Sequence, residues 1–99
     1  MLEKSIEKYL REQVELYSGR CRKWKSPQNN GVLDRIVQLF GKVYFVELKK
    51  SDGKISKLQE LEIKWLTDNG FDATVIASKD DVDNFILRVL GEALANKST

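Results

Sequence analysis

Apolar side chains at positions 2, 6, 9, 10, 14 and 17 recur at the spacing of one helical face. This predicts an amphipathic helix over residues 2–17, ended by Gly19. Residues 20–25 read as a short basic strand. Ser26-Pro27-Gln28-Asn29-Asn30-Gly31 reads as a loop, expected to be mobile without a ligand, because turn formers crowd there without periodicity. Two strand-like runs follow, 32–40 and 43–48. Gly41-Lys42 between them is expected to form a two-residue type II′ hairpin turn. After a second turn at Ser51-Asp52-Gly53-Lys54, Ser56 and Gln59 spell a capping box. Leu58, Leu61, Trp65 and Leu66 supply the apolar stripe of a second helix, which Gly70 closes. Residues 73–77 suit a buried strand. Ser78 and Asp81 then cap a third helix carrying Val82, Phe85, Ile86, Val89, Leu90, Ala93 and Leu94 on one side, with residues 96–99 expected to fray.

The resulting order is αβββαβα, an α/β arrangement. The strand–helix–strand unit from residue 43 to residue 77 makes its two strands parallel. An antiparallel hairpin plus a parallel strand therefore form one mixed β-sheet flanked by helices. The 99 residues suffice for a single domain spanning 1–99.

Composition narrows the chemistry mainly through what is missing. There is no histidine, so Ser-His-Asp, Cys-His and His-metal sites cannot be built from this chain. A single cysteine, Cys21, forms neither an internal disulfide nor a zinc cluster, and suits a small buried hydrophobe in a strand. Catalysis would have to use carboxylates, lysine and a hard cation such as Mg²⁺, which prefers oxygen ligands. No apolar run approaches the roughly 20 residues needed to span a bilayer. The first residues, Met1-Leu2-Glu3-Lys4-Ser5, do not resemble a signal peptide. An intracellular protein without membrane attachment is expected.

The net charge of +2 is unevenly placed: residues 1–49 carry ten basic and six acidic side chains, residues 50–99 seven and nine. The densest cluster is Arg20, Arg22, Lys23 and Lys25, with Trp24 among them. Such a cluster suits phosphate contact with base or sugar packing, and equally suits a solvated edge strand guarded by charge.

An acid two positions before a lysine occurs three times, in Glu47-Leu48-Lys49, Asp52-Gly53-Lys54 and Glu62-Ile63-Lys64. Chance alone gives about two such matches, so context must separate them. Only Glu47 and Lys49 end an apolar strand, where alternation points both to one face. With Gly41-Lys42 as the turn, Asp34 lies opposite Lys49 and diagonal to Glu47, roughly 7–8 Å away between backbones. Two carboxylates and a lysine on one face can hold Mg²⁺ or Mn²⁺ and act on a phosphodiester. The same residues could instead form an ordinary cross-strand ion pair at the surface. On the first helix, Glu3 falls inside an apolar arc that runs from Leu16 to Val14, and Glu7 falls just outside it. A buried carboxylate needs a partner, and a metal would be one. Otherwise Glu3 is solvated at a frayed chain start.

Three ordered stretches carry a family resemblance. Asn30-Gly31-Val32-Leu33-Asp34-Arg35, Val43-Tyr44-Phe45-Val46-Glu47-Leu48-Lys49 and Ser56-Lys57-Leu58-Gln59 together resemble the virus-type replication–repair nuclease (VRR-Nuc) family of the PD-(D/E)XK superfamily. That family reads G-x-P-D, then F-x-E-x-K, then a helix opening S-x-x-Q. One departure is visible: Leu33 stands where the motif has proline.

The resemblance implies a restriction-endonuclease-like fold and a Mg²⁺- or Mn²⁺-dependent endonuclease. It implies metal ligands at Asp34, Glu47 and the Leu48 backbone carbonyl, a catalytic Lys49 and a supporting Gln59. The helix-one acid maps best to Glu3, with Glu7 left open. Arg20, Arg22, Lys23, Lys25 and Arg35 are expected to contact DNA. Small stand-alone members imply a homodimer acting on branched DNA such as four-way (Holliday) junctions, in the cytoplasm of a bacterial host if the protein is phage-borne. A non-catalytic nucleic-acid-binding module on the same fold is the alternative, and a structural dimerisation domain a third.

Overall fold

The computed structural model describes residues 3–25, 33–49 and 53–97. In chain order these form α1 (Glu3–Leu16), β1 (Arg20–Lys23), β2 (Arg35–Leu39), β3 (Lys42–Leu48), α2 (Lys57–Asp68), β4 (Asp72–Ile76) and α3 (Lys79–Lys97). The element order matches the one read from the sequence. The expected loop at 26–31, with its mobility, and the start of the turn at 51–54 lie outside the described residues.

The four strands make one sheet in the order β1-β2-β3-β4. β2 runs antiparallel to both β1 and β3, and β3 runs parallel to β4. Strand alternation sends Val37, Leu39, Tyr44, Val46, Leu48 and Ile76 to one face. There they meet Ile6, Leu10 and Val14 of α1 and Val82, Phe85, Ile86 and Val89 of α3. The Tyr44 and Phe85 rings meet edge-on at 5.4 Å. Each such fully buried aliphatic or aromatic side chain contributes about 1.5–3 kcal/mol relative to exposure. This core fixes the strand faces, and with them the direction of every side chain on the opposite face.

Local signals set the element ends. Gly19 does not itself supply the left-handed residue that ends α1; Ser18 does, with φ 65°. Glycine is required at 19 because β2 passes so close: an added Cβ would lie 2.6 Å from the Gln38 carbonyl oxygen. The Ser56–Gln59 capping box forms as expected, and so does the Ser78 cap of α3, whose hydroxyl accepts the Asp81 N–H at 3.0 Å. Phe71 N–H donates to the Leu66 carbonyl at 2.9 Å and closes α2 around Gly70. α3 continues through Asn96 and Lys97, where fraying was expected. No helix among the described residues is long and apolar enough to cross a membrane.

Two readings need correction. The hairpin turn uses Phe40 and Gly41, both at positive φ (53° and 77°), as a type I′ turn requires. It is not a type II′ turn at Gly41-Lys42. The apolar stripe of α2 is also largely outside the core: Leu66 alone is buried, and Leu58, Leu61 and Trp65 are each more than half exposed.

Candidate active site

Moving the turn back by one residue slides β2 along β3 by two, which preserves which face each side chain takes. One step beyond the Arg35–Val46 pair, Asp34 therefore falls opposite Glu47, and not opposite Lys49 as the expected turn implied. The two carboxylates are direct cross-strand neighbours, a closer relation than the expected diagonal.

Asp34 sits at a bend just before β2 and is tied down by its own backbone and by its neighbours. Its carbonyl accepts the Trp24 N–H at 2.9 Å and Arg35 Nη1 at 3.0 Å. Its Oδ1 accepts the Leu48 N–H at 3.3 Å. Glu47 is only 2% exposed. Its Oε2 lies 3.3 Å from Lys49 Nζ, and its Oε1 is buried without a hydrogen-bond partner among the described residues. An unpaired buried carboxylate oxygen costs on the order of 1–3 kcal/mol or more, so Glu47 has room for a partner that the described residues do not supply.

Burial and the Glu47 charge push Asp34 up to about 6, against the opposing pull of Arg35 and of the Leu48 N–H; the Glu3 charge adds a further small push. Two carboxylates facing each other in a half-buried setting disfavour joint ionisation, and a bound cation removes the conflict. Among the described residues no three acidic or cysteine side chains gather as a complete ligand set. The Asp34–Glu47 pair thus fits a cation that fills its remaining positions with backbone, water or phosphate oxygens, as Mg²⁺ does.

The other sequence candidates separate. Glu3 is exposed, not buried as its place in the apolar arc led us to expect. The core stripe is Ile6, Leu10 and Val14, and Glu3 shares its face but opens α1 ahead of the first buried residue, so solvent reaches it. Glu7 is the half-buried acid of the pair, with Oε1 4.0 Å from Arg35 Nε. The amide oxygen of Gln59 is committed to the Ser56 N–H at the cap of α2. Arg20 and Arg22 stand opposite Gln38 and Ile36, on the same side of the sheet as the carboxylates. Lys23 pairs with Arg35 and faces the α1 side, and Lys25 is exposed just past β1. Arg35 is packed beneath α1 with its side chain 13% exposed, which does not suit the DNA contact expected of it. Cys21 packs against the core, and burial pushes its thiol up to about 11, in keeping with an inert residue.

One feature escaped the sequence reading. Beside the carboxylates the rings of Trp24, Phe45, Phe71 and Trp65 follow one another at 5.3, 6.0 and 6.2 Å between centroids. Phe45 could have been found from its place two residues before Glu47 on the same strand face.

No protein-family model matches the chain. A protein of Acyrthosiphon pisum secondary endosymbiont phage 1, named "Putative nuclease p44", is 39% identical over 79 residues, which is 79% of this chain and 85% of that protein. Among solved structures, a VRR_NUC domain superposes with a TM-score of 0.78 at 29% identity, covering 85% of this chain and 92% of that one.

Proposed function

The chain belongs to the VRR-Nuc family, and we propose that it is a metal-dependent endonuclease hydrolysing DNA phosphodiester bonds at Asp34, Glu47 and Lys49. The apposition of Asp34 and Glu47 across the hairpin, with the unpartnered buried Oε1 of Glu47 and Lys49 at 3.3 Å, carries this proposal. Asp34 and Glu47 would hold the cation, Mg²⁺ or Mn²⁺, with the Leu48 carbonyl as the backbone ligand that the family resemblance implies. When bound, such an ion polarises a phosphoryl oxygen and acidifies water. Lys49, a largely buried cation beside Glu47, would orient the attacking water or offset charge growing on the phosphoryl oxygens. Arg20 and Arg22 lie on the same sheet face and contact backbone phosphates.

The substrate we propose is branched DNA, cut by a homodimer. One carboxylate–lysine site cuts one strand at a time, whereas a four-way junction offers two strands related by two-fold symmetry. Leu58, Leu61 and Trp65 of α2 form an exposed apolar stripe suited to a second copy of this chain. Incubation with linear, flapped and four-way DNA, with and without Mn²⁺, tests the reading. Nicking that requires the metal and favours the branched substrates is expected. Salt-dependent binding with no cleavage of any substrate would replace the enzyme by a binding module.

A further inference from the structure

Arg35 directly follows Asp34, so strand alternation turns its side chain away from the carboxylate face and towards α1. There it is 13% exposed, and its guanidinium lies between two acids. Nη1 donates to the carbonyl of Asp34 at 3.0 Å and lies 3.7 Å from Asp34 Oδ1. Nε is buried, makes no hydrogen bond among the described residues, and lies 4.0 Å from Oε1 of Glu7 on α1. Glu7 sits beside Ile6 and one turn before Leu10, both anchored in the core, so its backbone is a fixed point.

An arginine in this position is poorly placed for a DNA phosphate. Reaching outward would leave Glu7 without its cation, and a half-buried charge stripped of its partner is costly. The planar guanidinium can address two acceptors in different directions at once, which a lysine ammonium does less well. Asp34 needs such a brace, because it stands at a bend outside the β2 ladder and, among the described residues, only the Trp24 and Leu48 N–H groups otherwise hydrogen-bond to it.

We infer that Arg35 is a positioning residue for the cation site: braced against α1 through Glu7, it fixes the main chain of Asp34 and aims its carboxylate at Glu47. The inference rests on the reading of Asp34 and Glu47 as that site. It also sets two physical effects against each other. A positive charge close to a cation site weakens cation binding by repulsion, whereas bracing a ligand strengthens it, so the sign of a substitution decides between them.

Calorimetric titration of the full chain with Mn²⁺ alone, without DNA, makes the comparison. Wild type, Arg35→Met, Arg35→Lys, Glu7→Gln and Asp34→Asn are each titrated well below the melting temperature read by circular dichroism. Partners that orient metal ligands typically carry about 10–100-fold in affinity. Arg35→Met is expected to lose Mn²⁺ affinity in that range, Arg35→Lys to recover part of it, and Glu7→Gln to show a smaller loss. DNA affinity without metal is expected to stay at the wild-type value in all three. Arg35→Met binding Mn²⁺ as well as wild type or more tightly would overturn the inference. So would a loss of metal-free DNA affinity matching that of Arg22→Ala. If Arg35→Met fails to fold, Glu7→Gln carries the test, and wild-type Mn²⁺ affinity there is the contrary result. Wild type that takes up no Mn²⁺, or Asp34→Asn that binds like wild type, would overturn the cation site itself and this inference with it.

Discussion

At Asp34, burial and the Glu47 carboxylate across the hairpin raise the side chain's hold on a proton until it titrates at about 6. A carboxylate whose folded value lies above its unfolded one binds more protons when folded. Its contribution to stability is fully present below about 3.8 and is lost as pH rises through about 6. Because the side chain is about a third exposed, solvent screening keeps this contribution small. Between pH 4 and 7 the melting temperature of the metal-free wild type should fall relative to Asp34→Asn as pH rises. Parallel profiles for the two proteins would contradict the burial of Asp34 beside the Glu47 charge. Mn²⁺ affinity should also drop as pH falls through about 6, because a proton then competes for the same oxygens.

Single residues were legible where context restricted them. Of the three acid-x-lysine pairs, Glu47 and Lys49 stood out by ending an apolar strand, and the structure sets them 3.3 Å apart. Lys64 turns instead to Asp68 at 2.7 Å, away from Glu62. Glu3 was misread because a helical wheel ignores position along the axis: Glu3 shares the face of the buried Leu10 and Val14, but it opens α1 ahead of the first buried residue, Ile6, and is exposed there.

Among the elements, the helix caps were the plainest to read, since each is a local hydrogen-bond pattern that needs only the right residues at the right spacing. The hairpin turn was not. Phe40 is a poor residue for positive φ, so nothing local marks it as the first turn position. Its ring meets Tyr17 edge-on at 5.7 Å and packs against the core, a tertiary contact that offsets the backbone cost. The faces survived the error because the slip is two residues, and this is why the strand carboxylates still meet. Face assignment also splits the basic cluster of β1. Arg22 shares the carboxylate face while Lys23 points to the α1 side. Arg22→Ala should therefore weaken DNA binding and lower the salt slope by about one phosphate contact, with Lys23→Ala having little effect. Equal effects of the two substitutions would mean that DNA does not approach along this face.

Among the described residues, α1 and α3 cover one side of the sheet with a continuous core, while α2 buries Leu66 alone and leaves Leu58, Leu61 and Trp65 more than half exposed. That asymmetry was invisible in the sequence, where an apolar stripe on a helix reads as core whichever way it faces. As the proposed dimer surface it makes Trp65→Glu the sharpest substitution. Sedimentation equilibrium at micromolar concentration should show a dimer for wild type and a monomer for Trp65→Glu, both folded. A wild type that stays monomeric even on junction DNA would remove the paired-site arrangement and leave single-strand nicking intact. The catalytic assignment itself is tested most directly by single-turnover cleavage of a four-way junction by wild type and Lys49→Ala. Wild type should nick only when Mn²⁺ is present, and Lys49→Ala should be slower by about 10²–10³-fold at unchanged fold and DNA affinity. Near-normal nicking by Lys49→Ala, or equal cleavage by wild type in a chelator, would contradict the account.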